Sequence, residues 1–316
     1  MLNHNMKKLL LVLVCSFSLS SCSLFQKKFT IVFTHNTNGW FEDCGCAHGN
    51  KYGGLQRRAS VFRSVADNDE ESLFFDSGDI ISTDSRNSER DLFVIRMMKY
   101  LQYDAVGVGD QEFIHGMEFY RKSFRMLPMI SSNVVNAGLS AKVLKRKDEQ
   151  IAVLSLMNPY MLGFLSDSIR GEIEVLPPDA VLETLLKQFE EKNIKNIVLL
   201  SHMSWEEDKK LAEKYPQLSL ILSGHDQSLQ DSMIVVNGTP IIQNGPDGER
   251  VSILEGYFSG GKYEVNHFNR IILDDKILPD SLVTAEIKGF KESHSDTTDS
   301  GNMKTENGKK QVVNGK

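Results

Sequence analysis

Hydrophobic positions in this chain fall in short runs. Those at Phe29 to Phe33, Leu73 to Phe75, Ala105 to Val108, Ile151 to Leu156, Ile197 to Leu200 and Leu218 to Leu222 are rich in β-branched and aromatic residues, as buried strands are. Between them the spacing changes to that of amphipathic helices, over about Leu55 to Ala66, Asp91 to Leu101, Asp179 to Glu190 and Glu206 to Tyr215. The alternation predicts an α/β fold with a largely parallel central sheet. Further on, Met233 to Val236, Pro240 to Gln243, Val251 to Phe258 and Tyr263 to Leu273 are separated by Asn-Gly, Asp-Gly and Gly-Gly turns. These predict antiparallel hairpins, forming a second sheet region after the alternating part.

The two ends read differently. Lys7 and Lys8 precede an apolar stretch from Leu9 to Phe17, and Leu19-Ser20-Ser21 then leads into Cys22. This resembles a bacterial lipoprotein signal: residues 1–21 as the signal peptide, Cys22 as the lipidated residue and 22–28 as an anchor linker. The apolar stretch is too brief to span about 30 Å of hydrocarbon. Cleavage before Cys22 removes two lysines and takes the formal charge from −6 to −8. The expected location is the bacterial cell envelope, outside the inner membrane, at the outer membrane or the periplasmic face. From Ser293 to Lys316 a polar stretch with one apolar pair predicts a disordered tail, leaving residues 29–292 as the folded domain.

Composition narrows the function. The chain has 316 residues, 41% hydrophobic and 25% charged, which is ordinary for a globular protein. Its negative charge argues against nucleic acid as a partner. Of four cysteines, Cys15 goes with the signal and Cys22 takes lipid, leaving Cys44 and Cys46. Cys44-Gly45-Cys46 is compatible with a small strained disulfide ring, a pair of metal thiolates or two free thiols.

Four of the apolar runs end alike, in a small or polar step followed by a metal-competent side chain. They are Phe75-Asp76-Ser77-Gly78-Asp79, Val108-Gly109-Asp110, Leu200-Ser201-His202 and Leu222-Ser223-Gly224-His225. Loops beyond the carboxyl ends of parallel strands converge in open α/β sheets, so two carboxylates and two imidazoles are expected to meet around one divalent cation.

In order and wording these motifs resemble the calcineurin-like metallophosphoesterases, specifically the catalytic domain of bacterial 5′-nucleotidases. The resemblance runs from Phe29 to Leu278. It includes Asp76-Ser77-Gly78-Asp79, Gly109-Asp110-Gln111-Glu112-Phe113, Ser201-His202 with Asp208 downstream, Ser223-Gly224-His225, and Asn237-Gly238-Thr239-Pro240 through Gly245. It implies a four-layer α/β/β/α sandwich of two mixed sheets and a centre for two metals. The departures are one-sided. Where the family has N-D-x-H-G this chain has Asn36 and Asn38 in place of the Asp and His, and its last motif ends in Gln227 in place of His. The resemblance therefore implies a degenerate first metal site at Asn36, Asn38 and Gln227. In the second set, Asp79, His202 and His225 are unchanged and Asp110 stands where the family has Asn, so all four can coordinate. Gln111 stands at the position of the family's catalytic His, followed by Glu112. The 5′-nucleotidase relatives carry a C-terminal nucleotide-binding domain where this chain has its polar tail, so nucleotide specificity is not carried over.

Other residues have plainer readings. Trp40 and Trp205 stand near site motifs, where packing is favoured over stacking on a base. Arg57 and Arg58 are candidates for phosphate contact, with surface ion pairs the favoured reading. His48 and His115 are expected to be solvated loop residues rather than replacement ligands. The resulting expectation is a lipid-anchored hydrolase with one divalent transition metal (Zn, Mn or Fe) that cleaves a small phosphate ester by metal-bound hydroxide. Its rival is an inactive metallophosphoesterase-fold lipoprotein that binds an envelope partner.

Overall fold

The computed structural model describes residues 27–44 and 52–294. The strands are β1 (Phe29–Thr34), β2 (Asp43–Cys44), β3 (Tyr52–Gly53), β4 (Leu73–Asp76), β5 (Ala105–Gly107), β6 (Met129–Ile130), β7 (Lys142–Arg146), β8 (Glu149–Met157), β9 (Asn196–His202), β10 (Leu220–Ser223), β11 (Ile234–Val236), β12 (Thr239–Ile242), β13 (Arg250–Ser259) and β14 (Lys262–Ile272). The α-helices are α1 (Leu55–Asn68), α2 (Ser88–Tyr100), α3 (Gly116–Ser123), α4 (Asp167–Arg170), α5 (Pro178–Glu191), α6 (Trp205–Lys214) and α7 (Ser281–His294).

Among the described residues two six-stranded mixed sheets result, in the orders β14-β13-β1-β4-β5-β6 and β11-β12-β10-β9-β8-β7. Each has a parallel centre. In the first, β1, β4, β5 and β6 run parallel, and the β13–β14 hairpin is added antiparallel beside β1. In the second, β8, β9, β10 and β12 run parallel, with antiparallel edges β7 and β11.

The apolar runs are continuous because both faces of each sheet are covered. On β1, Phe29, Ile31 and Phe33 enter the layer between the sheets, while Val32 faces the helices. On β8, Ile151 and Val153 meet that same central layer, while Ala152, Leu154 and Leu156 pack outward with Leu182, Leu186 and Phe189 of α5. Helices α1, α2, α3 and α7 cover the first sheet, and α5 and α6 the second. The architecture is the expected α/β/β/α sandwich of two mixed sheets.

Three features differ from the sequence reading. The late strands form no sheet of their own: β13 and β14 extend the first sheet and β12 joins the second in parallel with β10. Their turn chemistry fixed the hairpins, but which sheet each joins depends on contacts distant in sequence. Helix α7 was not anticipated, because only Val283 and Ile287 are buried on it. It also carries Phe290, stacked on Phe93 and edge-on to Phe41. Finally, α7 runs through His294, so the folded part extends past the expected end at Glu292. The remainder of the tail, the signal segment with Cys22, and His48 and Cys46 lie outside the described residues. No helix among the described residues is long and apolar enough to cross a membrane.

Helix α6 is tied to the second sheet by a polar contact. The fully buried Asp208 accepts a hydrogen bond from Ser201 at the end of β9, and Ser223 of β10 lies beside it. Burial pushes the Asp208 carboxyl up to about 7, against the opposing effect of the serine hydroxyls. The native state thus keeps a proton that the unfolded chain releases near pH 4, and stability falls as pH rises from about 4 to about 7. Asp208→Asn keeps an acceptor for Ser201 and offers an N–H to the Ser223 oxygen beside it. We expect the metal-free variant to match wild type near pH 4.5 and to exceed it by on the order of a few kcal/mol at pH 8, in urea denaturation. A gap that does not widen with pH would contradict the buried-carboxyl assignment.

Candidate metal centre

Each candidate ligand stands just past the carboxyl end of a parallel strand. After β4 the chain turns sharply. The Asp76 carboxylate accepts from Gly78 N–H at 2.9 Å, and Gly78, at φ +91°, lets the turn approach the loop after β5. A Cβ on Gly78 would lie 2.5 Å from the Gly109 nitrogen, so only glycine fits. Glu112 then ties the two loops together. One carboxylate oxygen accepts from Gly109 N–H at 2.7 Å and Asp79 N–H at 3.2 Å, and the other from Ile80 N–H at 2.6 Å. Burial and the Asp79 charge push its carboxyl up to about 8.

The four expected side chains converge. One ligand atom from each of Asp79, Asp110, His202 and His225 lies within 4.8 Å of all the others. His202 Nε2 is 2.8 Å from Asp110 Oδ1 and 3.2 Å from Asp79 Oδ1, and His225 Nδ1 is 3.1 Å from Asp110 Oδ1. The other His202 nitrogen, Nδ1, lies 2.9 Å from the Ser77 carbonyl, an acceptor, so it donates there and Nε2 is left to face the centre. His225 is the most exposed of the four, its side chain 28% accessible. Asp79 and His225 both adopt left-handed φ, +58° and +65°, as do Asn36 and Asn38 at +49° and +51°. Such conformations cluster where surrounding contacts impose them at functional sites.

The electrostatics suit a cation. Burial lowers the proton affinity of His202, but the facing Asp79 and Asp110 carboxylates outweigh it and raise its pKa well above the usual value. Burial opposes the charged form of Asp110 too, yet its hydrogen bonds from His202 and His225 hold its carboxyl well below the usual range. A proton on His202 thus offsets one of the two facing carboxylate charges. A divalent ion with lone pairs from two imidazoles and two carboxylates would offset both, and N/O donor sets of this kind match Zn, Mn or Fe.

Beside this cluster the amides join one another. Asn38 Nδ2 donates to Gln227 Oε1 and to Asp247 Oδ1, both at 2.9 Å, while Gln111 Nε2 donates to Asn38 Oδ1 at 3.1 Å. Gln227 Nε2 donates to the His225 carbonyl at 3.0 Å, and Asn36 Nδ2 to the Asp226 carbonyl at 3.0 Å. These loops are therefore held together through neutral amides, one of which also donates to the Asp247 carboxylate. The side-chain oxygens of Asn36 and Gln111 are buried without a partner.

Several sequence expectations change. Glu112 is fully buried with both oxygens occupied by backbone N–H groups, so it positions loops and does not face a reacting group. Arg57 and Arg58 are buried rather than on the surface, and Arg57 pairs with Asp43 at 3.7 Å. Arg57 donates to the Gly53 carbonyl beside Asp43, and Arg58 to Thr37 Oγ1 and Tyr103. Arg58 is held by partners far along the chain, which spacing alone did not show. His115 is no solvated loop residue: its ring is nearly buried, 2.8 Å from Asp91. Trp205 packs in the outer core, as favoured. Cys44 ends β2, opposite Tyr52 of β3, and its side chain lies outside the described set. Sequence reasoning gave no site role to Ser77 or Asp247. Ser77 acts through its carbonyl and Asp247 sits in an ordinary Pro-Asp-Gly turn, so neither gave a side-chain signal.

With this geometry in view, comparison with known proteins is specific. No family model matches the chain. Among curated proteins it is 25% identical over 312 residues to the snake venom 5′-nucleotidase of Naja atra, covering 84% of this chain and 57% of that protein. It is 23% identical to the human 5′-nucleotidase, over 84% of this chain and 52% of that one. The chain thus spans about half the length of the curated relatives it matches. Among solved structures, the 5′-nucleotidase precursor of Thermus thermophilus superposes with a TM-score of 0.73 at 20% identity, covering 85% of this chain and 59% of that one. The calcineurin-like phosphoesterase YfkN of Bacillus subtilis gives 0.67 at 18% identity, over 86% and 99%. The chain has the calcineurin-like metallophosphoesterase fold, and in sequence it resembles the 5′-nucleotidases.

Proposed function

We propose that this chain is a lipid-anchored phosphoesterase of the cell envelope that uses one divalent metal. The observation that carries the reading is an asymmetry. Four strong donors, Asp79, Asp110, His202 and His225, surround one point, while Asn36, Asn38 and Gln227 hydrogen-bond to their surroundings as neutral amides. A divalent ion held by the four donors would lower the pKa of water and polarise a phosphoryl oxygen. Within that centre His202 is oriented by the Ser77 carbonyl, and Asp79 and Asp110 are fixed relative to one another by the loops that Glu112 ties. Gln111 keeps a hydrogen-bonding group where the family has His, but it carries no titratable proton. Loss of such a group commonly costs about 10²–10⁴ in rate. Esters with good leaving groups are therefore the favoured substrates.

The amide contacts also favour a second reading, an inherited fold that binds without turnover. The two separate on metal content and cleavage. We expect about one tightly held transition metal per chain, lost in Asp79→Ala and His225→Ala and retained in Gln227→Ala. An aryl phosphate should be cleaved slowly by wild type and faster by orders of magnitude once Asn36→Asp, Asn38→His, Gln227→His and Gln111→His are combined. Two metals per wild-type chain would overturn the one-metal centre. Cleavage absent in wild type but present in the combined variant would favour the binding protein.

Anchoring is tested separately. Wild type should partition into the detergent phase and Cys22→Ala into the aqueous phase. Identical partitioning would contradict lipidation at Cys22.

A further inference from the structure

The wall of amides faces a cleft of about 640 Å³, lined by Asn38, Gln111 and Gln227 on one side and by Trp40, Arg90 and Asp247 elsewhere. Gln111 and Gln227 adjoin the candidate ligands Asp110 and His225, so cleft and metal centre share a boundary. A second metal's charge is not available here, because the side chains at its position are neutral and paired with one another. Arg90 is the lone cation among the described residues that line the cleft.

Its surroundings hold the guanidinium without a direct ion pair, while Asp84, which also lines the cleft, feels its charge. Arg90 Nε donates to the Gly39 carbonyl at 3.2 Å, and the guanidinium carbon sits 5.3 Å from the ring centres of both Trp40 and Phe41. The nearby Asp84 carboxylate is engaged by Arg86, at 2.8 Å and 2.9 Å through two nitrogens. Among the described residues no carboxylate forms an ion pair with Arg90. Its terminal nitrogens, a planar fork suited to phosphate or carboxylate oxygens, are left to the cleft. The cleft's other carboxylate, Asp247, accepts from Asn38 and opposes an anion.

We infer that Arg90, braced by Trp40 and Phe41, is the anion-recognition residue of this cleft, and that the cleft takes an oxyanion of the phosphoryl class. The inference rests on the phosphoesterase reading for its biological meaning, but the binding itself does not require the metal.

The test uses inorganic phosphate and the full chain in detergent, metal-free and metal-loaded, by titration calorimetry with Trp fluorescence alongside. Metal-free wild type should bind phosphate and change its fluorescence through Trp40. Arg90→Gln should weaken binding at least tenfold, Arg90→Lys should retain part of it, and Asp247→Asn should tighten it. Metal content and thermal midpoint should be unchanged in Arg90→Gln, which separates lost recognition from lost fold. Absence of phosphate binding to metal-free wild type, or equal affinity in Arg90→Gln, would overturn the inference. If phosphate binds only with metal, and equally in both proteins, Arg90 has no such role while the phosphoesterase reading stands. If Arg90 binds phosphate but no ester is cleaved, the phosphoesterase reading fails and the anion site stands.

Discussion

Buried carboxyl groups must be neutralised, by positive charge or by a proton, and the arrangement of this protein follows from how it treats three of them. Asp79 and Asp110 face each other across His202, and Glu112 lies directly behind. In a dry setting, unbalanced carboxylates take up protons or open the structure to water. Backbone N–H groups occupy Glu112, and imidazoles occupy the other two. That compensation fixes the loops after β4 and β5 against each other and gives the centre its shape before any ion binds.

The amide side of the site obeys the opposite rule. Asn36, Asn38, Gln111 and Gln227 carry no charge to be balanced, so hydrogen bonds between loops suffice to hold them. Replacing ionic ligands by amides removes a cation requirement without loosening the loops. Only the unpartnered oxygens of Asn36 and Gln111 break the closure.

Much of this was legible in the sequence where a residue's role depends on its own strand. The runs ending in Asp79, Asp110, His202 and His225 announced both a parallel sheet and a site at its carboxyl edge, because strand composition and the small-residue turn lie within a few positions of each other. What remained hidden depends on distant partners. Arg58 read as a surface helix residue because its hydrogen-bond partners, Thr37 and Tyr103, are far along the chain. Helix α7 shows little periodicity because it rests on the first sheet's helices through few residues. Asp247 and Ser77 carry ordinary turn chemistry, and their importance arises only from what folds against them.

The four ligands are divided between the two sheets: Asp79 and Asp110 follow strands of the first, His202 and His225 strands of the second. The central layer of Phe33, Phe75, Leu200 and Leu222 therefore acts as a gauge block, setting the offset of one sheet against the other. A slip by a single residue along the strands is a shift of about 3.3 Å, enough to carry both imidazoles out of reach of the carboxylates. Chemistry at the rim is thus only as accurate as the fit of apolar side chains at the centre. A core substitution far from any polar group would first be felt as a change in ion affinity.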